Sequence, residues 1–263
     1  MNSKMYEAFD EYFKYLKLDY TAQEIAIIAS ENNFSNDQIE ALNITLANMV
    51  KKKKATTIAT LLKLSRLPQN QQKTFDNFNF DVLKCKNIEE IIGLRELNSI
   101  YSNRNLAFIG PAGTGKTHLA QAYGYECCKN GLKTYFMKMS EIRDKFTTAR
   151  RNGKEATAIN SLVRPVCLII DEVGHCDFDR KNTKMFFDMI DRRYHKAGIS
   201  NTVFTSNSDP SQWHANFVDD DALLCSLDRI FDKATVFTFR GESYRGKQLQ
   251  KVAINTVRVN ISK

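Results

Sequence analysis

Apolar residues in the first quarter of the chain recur every three or four positions, which is the spacing of one face of an α-helix. Residues 1–66 contain neither glycine nor proline, and one apolar stripe runs from Met5 to Leu16. Thr21 is a predicted N-cap for the next helix, which carries Glu24 at the position of a capping box. The pattern therefore predicts a small all-α N-terminal domain over residues 1–66.

The pattern changes after a polar, proline-marked segment, residues 67–73, which we interpret as a linker. Beyond it, short apolar runs alternate with helical patterns, and one helix is expected from about residue 88 to residue 101. The predicted strands lie near residues 105–109, 133–138, 166–170, 201–206 and 235–239. This alternation predicts an α/β domain over residues 74–263, with a parallel sheet covered by helices on both faces.

The chain is basic, and its charge is distributed unevenly. Lys and Arg number 38 against 30 Asp and Glu in 263 residues. Residues 1–50 carry three lysines and eight acids, a net charge of −5, whereas residues 51–66 carry six cations and no acid. These cations are Lys51, Lys52, Lys53, Lys54, Lys63 and Arg66. A basic helix of this kind is either a solvated face or a surface for DNA phosphates, and its composition alone leaves both interpretations open.

A phosphate-binding pattern lies between a predicted strand and a predicted helix. Its residues are Gly110, Pro111, Ala112, Gly113, Thr114, Gly115, Lys116 and Thr117. Glycines let backbone N–H groups approach phosphate closely, and the helix that begins at the lysine adds the positive end of its dipole. Lys116 is expected to reach the β- and γ-phosphates, and Thr117 to offer its hydroxyl to Mg²⁺. The pattern predicts a nucleotide site.

Two adjacent carboxylates follow the apolar run Val166–Ile170. A parallel sheet brings them to the edge where the phosphate loop also lies. Asp171 is expected to hold Mg²⁺ through water, and Glu172 to orient and deprotonate the attacking water. Two acids after a strand also suit a helix N-terminus. Their position, 55 residues after Lys116 in the same alternating domain, favours the catalytic interpretation.

Three more polar residues are candidates for the site. Asn207 ends the fourth predicted strand, where it can hold the lytic water or contact the γ-phosphate; an Asx turn is its alternative role. Arg229 lies late in a helical pattern, and Arg245 follows the last predicted strand. No spacing rule distinguishes these two arginines from ordinary surface residues.

Cysteine usage and hydropathy indicate the compartment. The six cysteines show no paired spacing that suits zinc. No apolar run approaches the roughly eighteen residues of a membrane span, and no signal peptide is recognisable. We therefore expect a reducing, cytoplasmic setting and no membrane partner.

Together these residues resemble the AAA+ ATPases of the IstB type, which assist transposases of bacterial insertion sequences. They are similar, more distantly, to the helicase loaders DnaC and DnaI. The resemblance covers about residues 74–245. It rests on FDNF at 75–78, GPAGTGKTHLA at 110–120, LIIDEVGH at 168–175, TSN at 205–207, LDRI at 227–230 and GESYR at 241–245. The phosphate loop alone is generic, whereas LIIDEVGH followed by GESYR is much more specific.

The resemblance implies an AAA+ P-loop NTPase fold, in which helices cover both faces of the sheet. Members of this family lack the usual helical lid, and too few residues follow Arg245 to form one. It implies that Asn207 is the first sensor and that Arg245 is the second sensor. Arg229 matches the arginine finger, which acts on ATP bound by the neighbouring subunit of a homo-oligomer. The implied nucleotide contacts beyond the phosphate loop are Phe75, Phe78 and His118.

These observations predict a cytoplasmic ATPase that uses ATP and Mg²⁺. The protein is expected to assemble on DNA largely without base readout and to deliver that DNA to a transposase. Besides the basic helix, two segments are candidates for DNA contact. One comprises Arg143, Lys145, Arg150, Arg151 and Lys154, and the other, the tail, comprises Lys247, Lys251, Arg258 and Lys263. The alternative partner is a replicative helicase, as for DnaC. A DnaI-type zinc site is excluded because residues 1–80 contain no cysteine or histidine.

Two other classes compete with an ATPase. One is a nucleotide-gated clamp that hydrolyses ATP slowly or only when stimulated, which would not need Glu172. The other is a DNA-coating protein with a vestigial phosphate loop. The intact loop and the paired acids disfavour the second class.

Overall fold

Three helices form the first part of the chain, as the apolar spacing predicts. The structure, a computed structural model, describes residues 3–80, 88–218, 227–241 and 243. The helices are α1 (Ser3–Leu16), α2 (Ala22–Glu31) and α3 (Asn36–Leu64). Both α2 and α3 begin with a capping box, the first of them formed by Thr21 and Glu24. A small core of Phe9, Phe13, Ala29, Ile39 and Leu46 joins them.

Helix α3 continues beyond this core. It has 29 residues, and none of residues 51–64 is buried. We call residues 3–50 the helical unit, residues 51–64 the bridging segment and the described residues from 65 onward the sheet unit. The basic positions of α3 therefore lie on an exposed helix between two packed units.

A parallel sheet forms the centre of the sheet unit. Its strands are β1 (Asn105–Ile109), β2 (Thr134–Lys138), β3 (Cys167–Val173), β4 (Asn201–Ser206) and β5 (Ala234–Thr238). Their order is β2-β3-β4-β1-β5, and every pair is parallel. The predicted strands are confirmed, with ends displaced by at most one residue, except that β3 continues to Val173.

Helices cover both faces of this sheet. The connecting helices are α4 (Ile88–Ile92), α5 (Asn98–Tyr101), α6 (Lys116–Lys129), α7 (Met139–Arg151), α8 (Glu155–Val163) and α9 (Arg180–Tyr194). Successive strand residues face opposite sides, so Leu168 and Ile170 join one core cluster while Cys167 and Ile169 join the other. No helix within the described ranges is both long enough and apolar enough to cross a lipid bilayer.

One predicted element is wrong. The single helix expected from about residue 88 to residue 101 consists of α4, a 3₁₀ turn over Gly93–Glu96, and α5. Leu97 separates the last two with a left-handed φ of 57°. Its side chain is buried in the core of the sheet unit. Burial of this leucine outweighs the helical propensity of the surrounding residues.

The proposed linker begins in contact with the sheet unit. Leu67 is buried among the residues of that core, and the carbonyl of Pro68 accepts a hydrogen bond from the Tyr125 hydroxyl. Just before it, the carbonyl of Ser65 accepts from the N–H of Phe136 on β2, at 2.8 Å. The end of α3 is thus attached to the edge strand of the sheet. A domain boundary at residues 67–73 stays a prediction.

Candidate nucleotide site

The phosphate loop connects β1 to α6 at the carboxyl edge of the sheet. Gly115 precedes α6 with a φ of 97°. Gly113 has a φ of 79°, and a Cβ atom there would overlap the side chain of Ser243. The loop therefore needs glycine both for its backbone conformation and for the close approach of a neighbouring segment.

Lys116, the first residue of α6, folds back over the loop. Its side chain is buried, and its Nζ donates to the carbonyl of Pro111 at 2.6 Å. The hydroxyl of Thr114 donates to the same carbonyl at 2.9 Å. These bonds hold the ammonium group within the turn, where phosphate oxygens are expected.

Asp171 and Thr117 meet although they lie far apart in the sequence. The hydroxyl of Thr117 donates to Asp171 Oδ1 at 2.8 Å, and the hydroxyl of Thr205 on β4 donates to the same oxygen at 2.5 Å. Asp171 itself is buried. A carboxylate and a hydroxyl are oxygen donors, the type that Mg²⁺ prefers, so these two residues fit the ion expected here.

Glu172 occupies an irregular position in β3. Its φ is 60°, and the pairing of β3 with β4 shifts register between Ile170 and Val173. Left-handed conformations of non-glycine residues are costly and are often found at functional sites. The carboxylate of Glu172 lines the cavity and forms an ion pair with Lys138 Nζ at 3.0 Å. The hydrogen bond to Glu172 raises the pKa of Lys138 above its ordinary value.

The loop, the acids and the aromatic residues surround one cavity of about 380 Å³. It extends from Phe78 and His118 past the phosphate loop to Glu172 and Asn207. This volume falls within the range of sites that hold small molecules and cofactors. The cavity therefore brings the predicted residues Lys116, Thr117, Glu172 and Asn207 together, and Asp171 is hydrogen-bonded to Thr117 in its wall.

The aromatic end of the cavity is formed by Phe78 and not by Phe75. Phe78 contacts the His118 ring edge-on, with ring centroids 5.0 Å apart. His118 Nε2 lies 2.9 Å from the carbonyl of Thr74, and burial lowers the pKa of His118. Phe75 is buried in the core, under the guanidinium of Arg95, and is not among the described residues that line the cavity.

Asn207 lies at the opposite end of the cavity, just after β4. Its Nδ2 is 2.8 Å from Nε2 of His175, which therefore holds the amide group. His175 is the last residue of the motif LIIDEVGH, and Asn207 is the last residue of the motif TSN. The structure therefore brings these two motifs into contact.

Arg229 does not lie at this edge of the sheet. Its Nε is 3.1 Å from Asp191 Oδ1, and it lines a separate cavity of about 250 Å³. The next residue, Ile230, accepts a hydrogen bond at 2.8 Å from Asn105, the first residue of β1. The phosphate loop follows the last residue of the same strand, about 17 Å away along five residues. Arg245 lies outside the described residues.

The candidate DNA contacts fall into two groups. Several are engaged within the protein: Lys53 donates to the carbonyl of Leu16 at 2.9 Å, Lys54 lies over the Tyr15 ring, Arg66 pairs with Glu141, Arg143 pairs with Asp144, and Arg150 pairs with Asp179. The exposed residues are Lys51, Lys52, Lys63, Arg151 and Lys154, and Lys145 is partly exposed. The basic residues of the tail lie outside the described part of the chain.

Sequence patterns did not identify Lys138, Thr205 or His175 as site residues. Lys138 ends β2, where its register partner on β3 is Asp171. The rule that parallel strands end at one edge of a sheet places this lysine at the edge of the site, but only the strand order puts it next to β3. Thr205 and His175 lie within the TSN and LIIDEVGH motifs, but no local spacing indicates what they contact.

A family model described as IstB-like ATP binding protein matches residues 12–252. This chain belongs to the IstB-like ATP-binding family. The ATP-binding protein of insertion sequence IS5376 from Geobacillus stearothermophilus is 35% identical over 252 residues, covering 94% of this chain and 98% of that protein. The predicted resemblance is thus confirmed at the level of the family.

Solved structures with the same fold confirm the AAA+ architecture of this family member. DnaI matches with a TM-score of 0.52 and 18% identity, covering 65% of this chain and 90% of DnaI. DnaA bound to AMPPCP and single-stranded DNA matches with a TM-score of 0.54 and 21% identity. That match covers 66% of this chain and about half of DnaA, 51%.

Proposed function

We propose that this IstB-like protein hydrolyses ATP, assembles on DNA and assists a transposase. The observation that carries the proposal is the convergence of Lys116, Thr117 and Glu172 on one cavity, with Asp171 hydrogen-bonded to Thr117. Its relative in IS5376 is named as an ATP-binding protein of an insertion sequence. Retention of Glu172 at the cavity supports hydrolysis over a purely nucleotide-gated clamp.

Each residue has a distinct role in this proposal. Lys116 neutralises charge on the β- and γ-phosphates, and Asn207 orients the γ-phosphate or the attacking water. Thr117 and Asp171 hold Mg²⁺, which supplies further neutralisation of phosphate charge when bound. Glu172 accepts the proton of the attacking water after its carboxylate leaves Lys138.

The position of Arg229 supports an active site shared between subunits. It lies at the amino edge of the sheet, whereas the nucleotide of the same chain binds at the carboxyl edge. In a homo-oligomer, Arg229 reaches the γ-phosphate bound by a neighbour and stabilises its developing charge. Asp191 holds the guanidinium through Nε and so orients it.

The bridging segment supports DNA binding. Its exposed lysines can contact DNA phosphates without any rearrangement of a core. A DnaA structure with the same fold is bound to single-stranded DNA. Lysines contact phosphates as point charges and carry little base information, so binding should be largely independent of sequence.

A transposase is favoured over a replicative helicase as the partner. The family match begins at residue 12, so it includes most of the helical unit. The IS5376 relative covers 94% of the chain, whereas DnaI covers 65%. The similarity to insertion-sequence proteins thus extends into the region where a helicase loader would differ.

Steady-state ATP turnover of the purified protein, with and without random duplex DNA, tests this proposal. Wild type should hydrolyse ATP, and Glu172→Gln should bind ATP equally well but turn it over about 10²- to 10⁴-fold more slowly. Asp177→Asn, an exposed acid five residues further along, is the matched control and should behave as wild type. Normal turnover in Glu172→Gln would remove the role given to that carboxylate.

A further inference from the structure

The cavity beside Arg229, of about 250 Å³, lies at the amino edge of the sheet, where β1 and β4 begin. Four cations line it: Arg193, Lys196, Arg229 and Lys233. The described residues of its wall include no acid. Two acids beside it are already engaged, Asp191 by Arg229 and Asp232 by the hydroxyl of Tyr194. The cavity therefore carries more positive charge than the described residues around it balance.

Two of these cations donate to backbone carbonyls. Arg193, on α9, is buried, and its Nη1 donates to the carbonyls of Leu162 and Pro165, both at 3.0 Å. Lys196 Nζ donates to the carbonyl of Pro165 at 2.8 Å. Burial lowers the pKa of Arg193, and burial together with the charge of Arg193 lowers the pKa of Lys196 to about 8. Carbonyls satisfy the donors but leave their charge in place, so the cavity favours an anion.

The other two cations, Arg229 and Lys233, lie four positions apart on a segment that Asn105 attaches to the sheet. The Nδ2 of Asn105 donates to the carbonyl of Ile230 at 2.8 Å, and its backbone N–H donates to the carbonyl of Lys233 at 3.1 Å. Its Oδ1 accepts the N–H of Thr202 on β4 at 2.8 Å. These bonds fix the segment that carries both cations against the first residues of β1 and β4.

The two cations differ in how much of their charge is already balanced. Arg229 is 36% exposed and forms its ion pair with Asp191 at 3.1 Å. Lys233 is exposed, and within the described residues it forms no ion pair. A phosphoryl group in transfer spreads its charge over three oxygens, so a guanidinium that is already paired balances only part of it. Lys233 can supply the remaining positive charge.

We propose that this cavity receives the terminal phosphates of ATP bound by a second copy of the chain, and that Lys233 is a second catalytic cation there beside Arg229. This inference rests on the proposed function. The nucleotide of the same chain lies at the carboxyl edge, at the far end of β1, so the phosphates that Lys233 contacts belong to a neighbour. Lys233 binds them as a point charge and stabilises the charge that develops during transfer.

Steady-state ATP turnover of Lys233→Ala tests the role of the lysine. Turnover should fall roughly 10- to 100-fold, the loss expected for one charged hydrogen bond. Lys233→Arg should recover most of it, because it keeps the positive charge. ATP affinity of the dilute, unassembled protein should stay at the wild-type value, because the chain's own nucleotide lies at the opposite edge. Wild-type turnover in Lys233→Ala contradicts the inference.

Mixing Lys233→Ala with Glu172→Gln tests whether the lysine acts on a neighbour. Some interfaces then combine an intact Glu172 with an intact Lys233 from the next subunit, so turnover should exceed that of either variant alone. A lysine that acted within its own subunit would give no such interface and no recovery. Lys184→Ala is the matched control, since this exposed lysine of α9 is not among the described residues that line either cavity. It should keep wild-type turnover.

Calorimetric titration of inorganic phosphate into the unassembled protein tests the other source of an anion. Phosphate binding that Lys233→Ala abolishes, together with no recovery in the mixture, would assign the cavity to a free anion and contradict the inference. Failure of wild type to hydrolyse ATP, or of Arg229→Ala mixed with Glu172→Gln to recover turnover, contradicts the proposed function. Recovery in that mixture but not in the one with Lys233→Ala contradicts only the role given to Lys233.

Discussion

The helical unit, with the bridging segment that follows it, and the sheet unit differ in the size of the core that holds their side chains. The described core of the helical unit consists of five buried side chains, whereas those on the two faces of the sheet consist of 24 and 21. A nucleotide site requires groups held within fractions of an ångström, which a large packed core provides. Phosphate attraction by lysines tolerates looser positioning, and an exposed helix is sufficient for it.

The largest expected effect tests whether the sheet unit of one subunit contains a complete active site. Arg229→Ala should bind ATP normally but lose up to about 10³-fold in turnover, the lower range for a missing arginine finger. Mixing it with Glu172→Gln should partly restore turnover, because some interfaces then contain both intact groups. Turnover is measured across mixing ratios.

The control for this mixture is each variant measured alone at the same total protein concentration. Absence of recovery at every ratio, when mixed assemblies are shown to form, would mean that the active site is not shared between subunits. Oligomerisation should also strengthen with ATP, since the nucleotide bridges two chains.

The next prediction tests whether the two units fold independently. Phe9→Ala should destabilise the helical unit by about 3–5 kcal/mol, because it empties a fully buried position. ATP affinity should remain at the wild-type value, since no residue of the bridging segment is buried. Hydrogen exchange should accelerate in α1 and α2 but not in the sheet. Ile27→Ala, at a residue 51% exposed, is the control, and a matching loss of ATP affinity would contradict independence.

Lys116→Ala tests whether nucleotide affinity belongs to the sheet unit alone. Removal of a charged hydrogen-bond donor should weaken ATP binding by roughly 10- to 100-fold. DNA binding without nucleotide should not change. Calorimetry measures both affinities, with Lys129→Ala, at the other end of α6, as the control. Wild-type ATP affinity in Lys116→Ala would place the phosphates elsewhere.

The smallest effect tests the contribution of the bridging segment to DNA binding. Replacing Lys51 and Lys52 by alanine should lower the log–log salt slope on random duplex by about 1.8, at about 0.9 for each lost phosphate contact. Replacing Lys53 and Lys54 should change it less, because these lysines contact α1. An unchanged slope for Lys51 and Lys52 would assign DNA binding to other segments and favour the helicase-loader alternative.

The sequence by itself determined the phosphate loop, the strand positions and the helical N-terminal part. These features depend on local chemistry: glycine permits the conformation of Gly113, and apolar runs between turns make buried strands. The pairing of Asp171 with Thr117 was expected because parallel strands end at one edge of the sheet. Periodicity did not indicate the break at Leu97, since burial of that side chain depends on residues distant in sequence.

Only the tertiary structure decided which side chains complete the site. Phe75 and Phe78 belong to one short motif and to one core, but only Phe78 lines the cavity. Lys138 meets Glu172 because β2 lies next to β3, and strand order is not encoded in any local pattern. Arg66 meets Glu141 across 75 positions because the residue after α3, Ser65, is bonded to β2, which leads into α7. Local propensities act over a few residues, whereas contacts between strands and helices depend on how the whole chain packs.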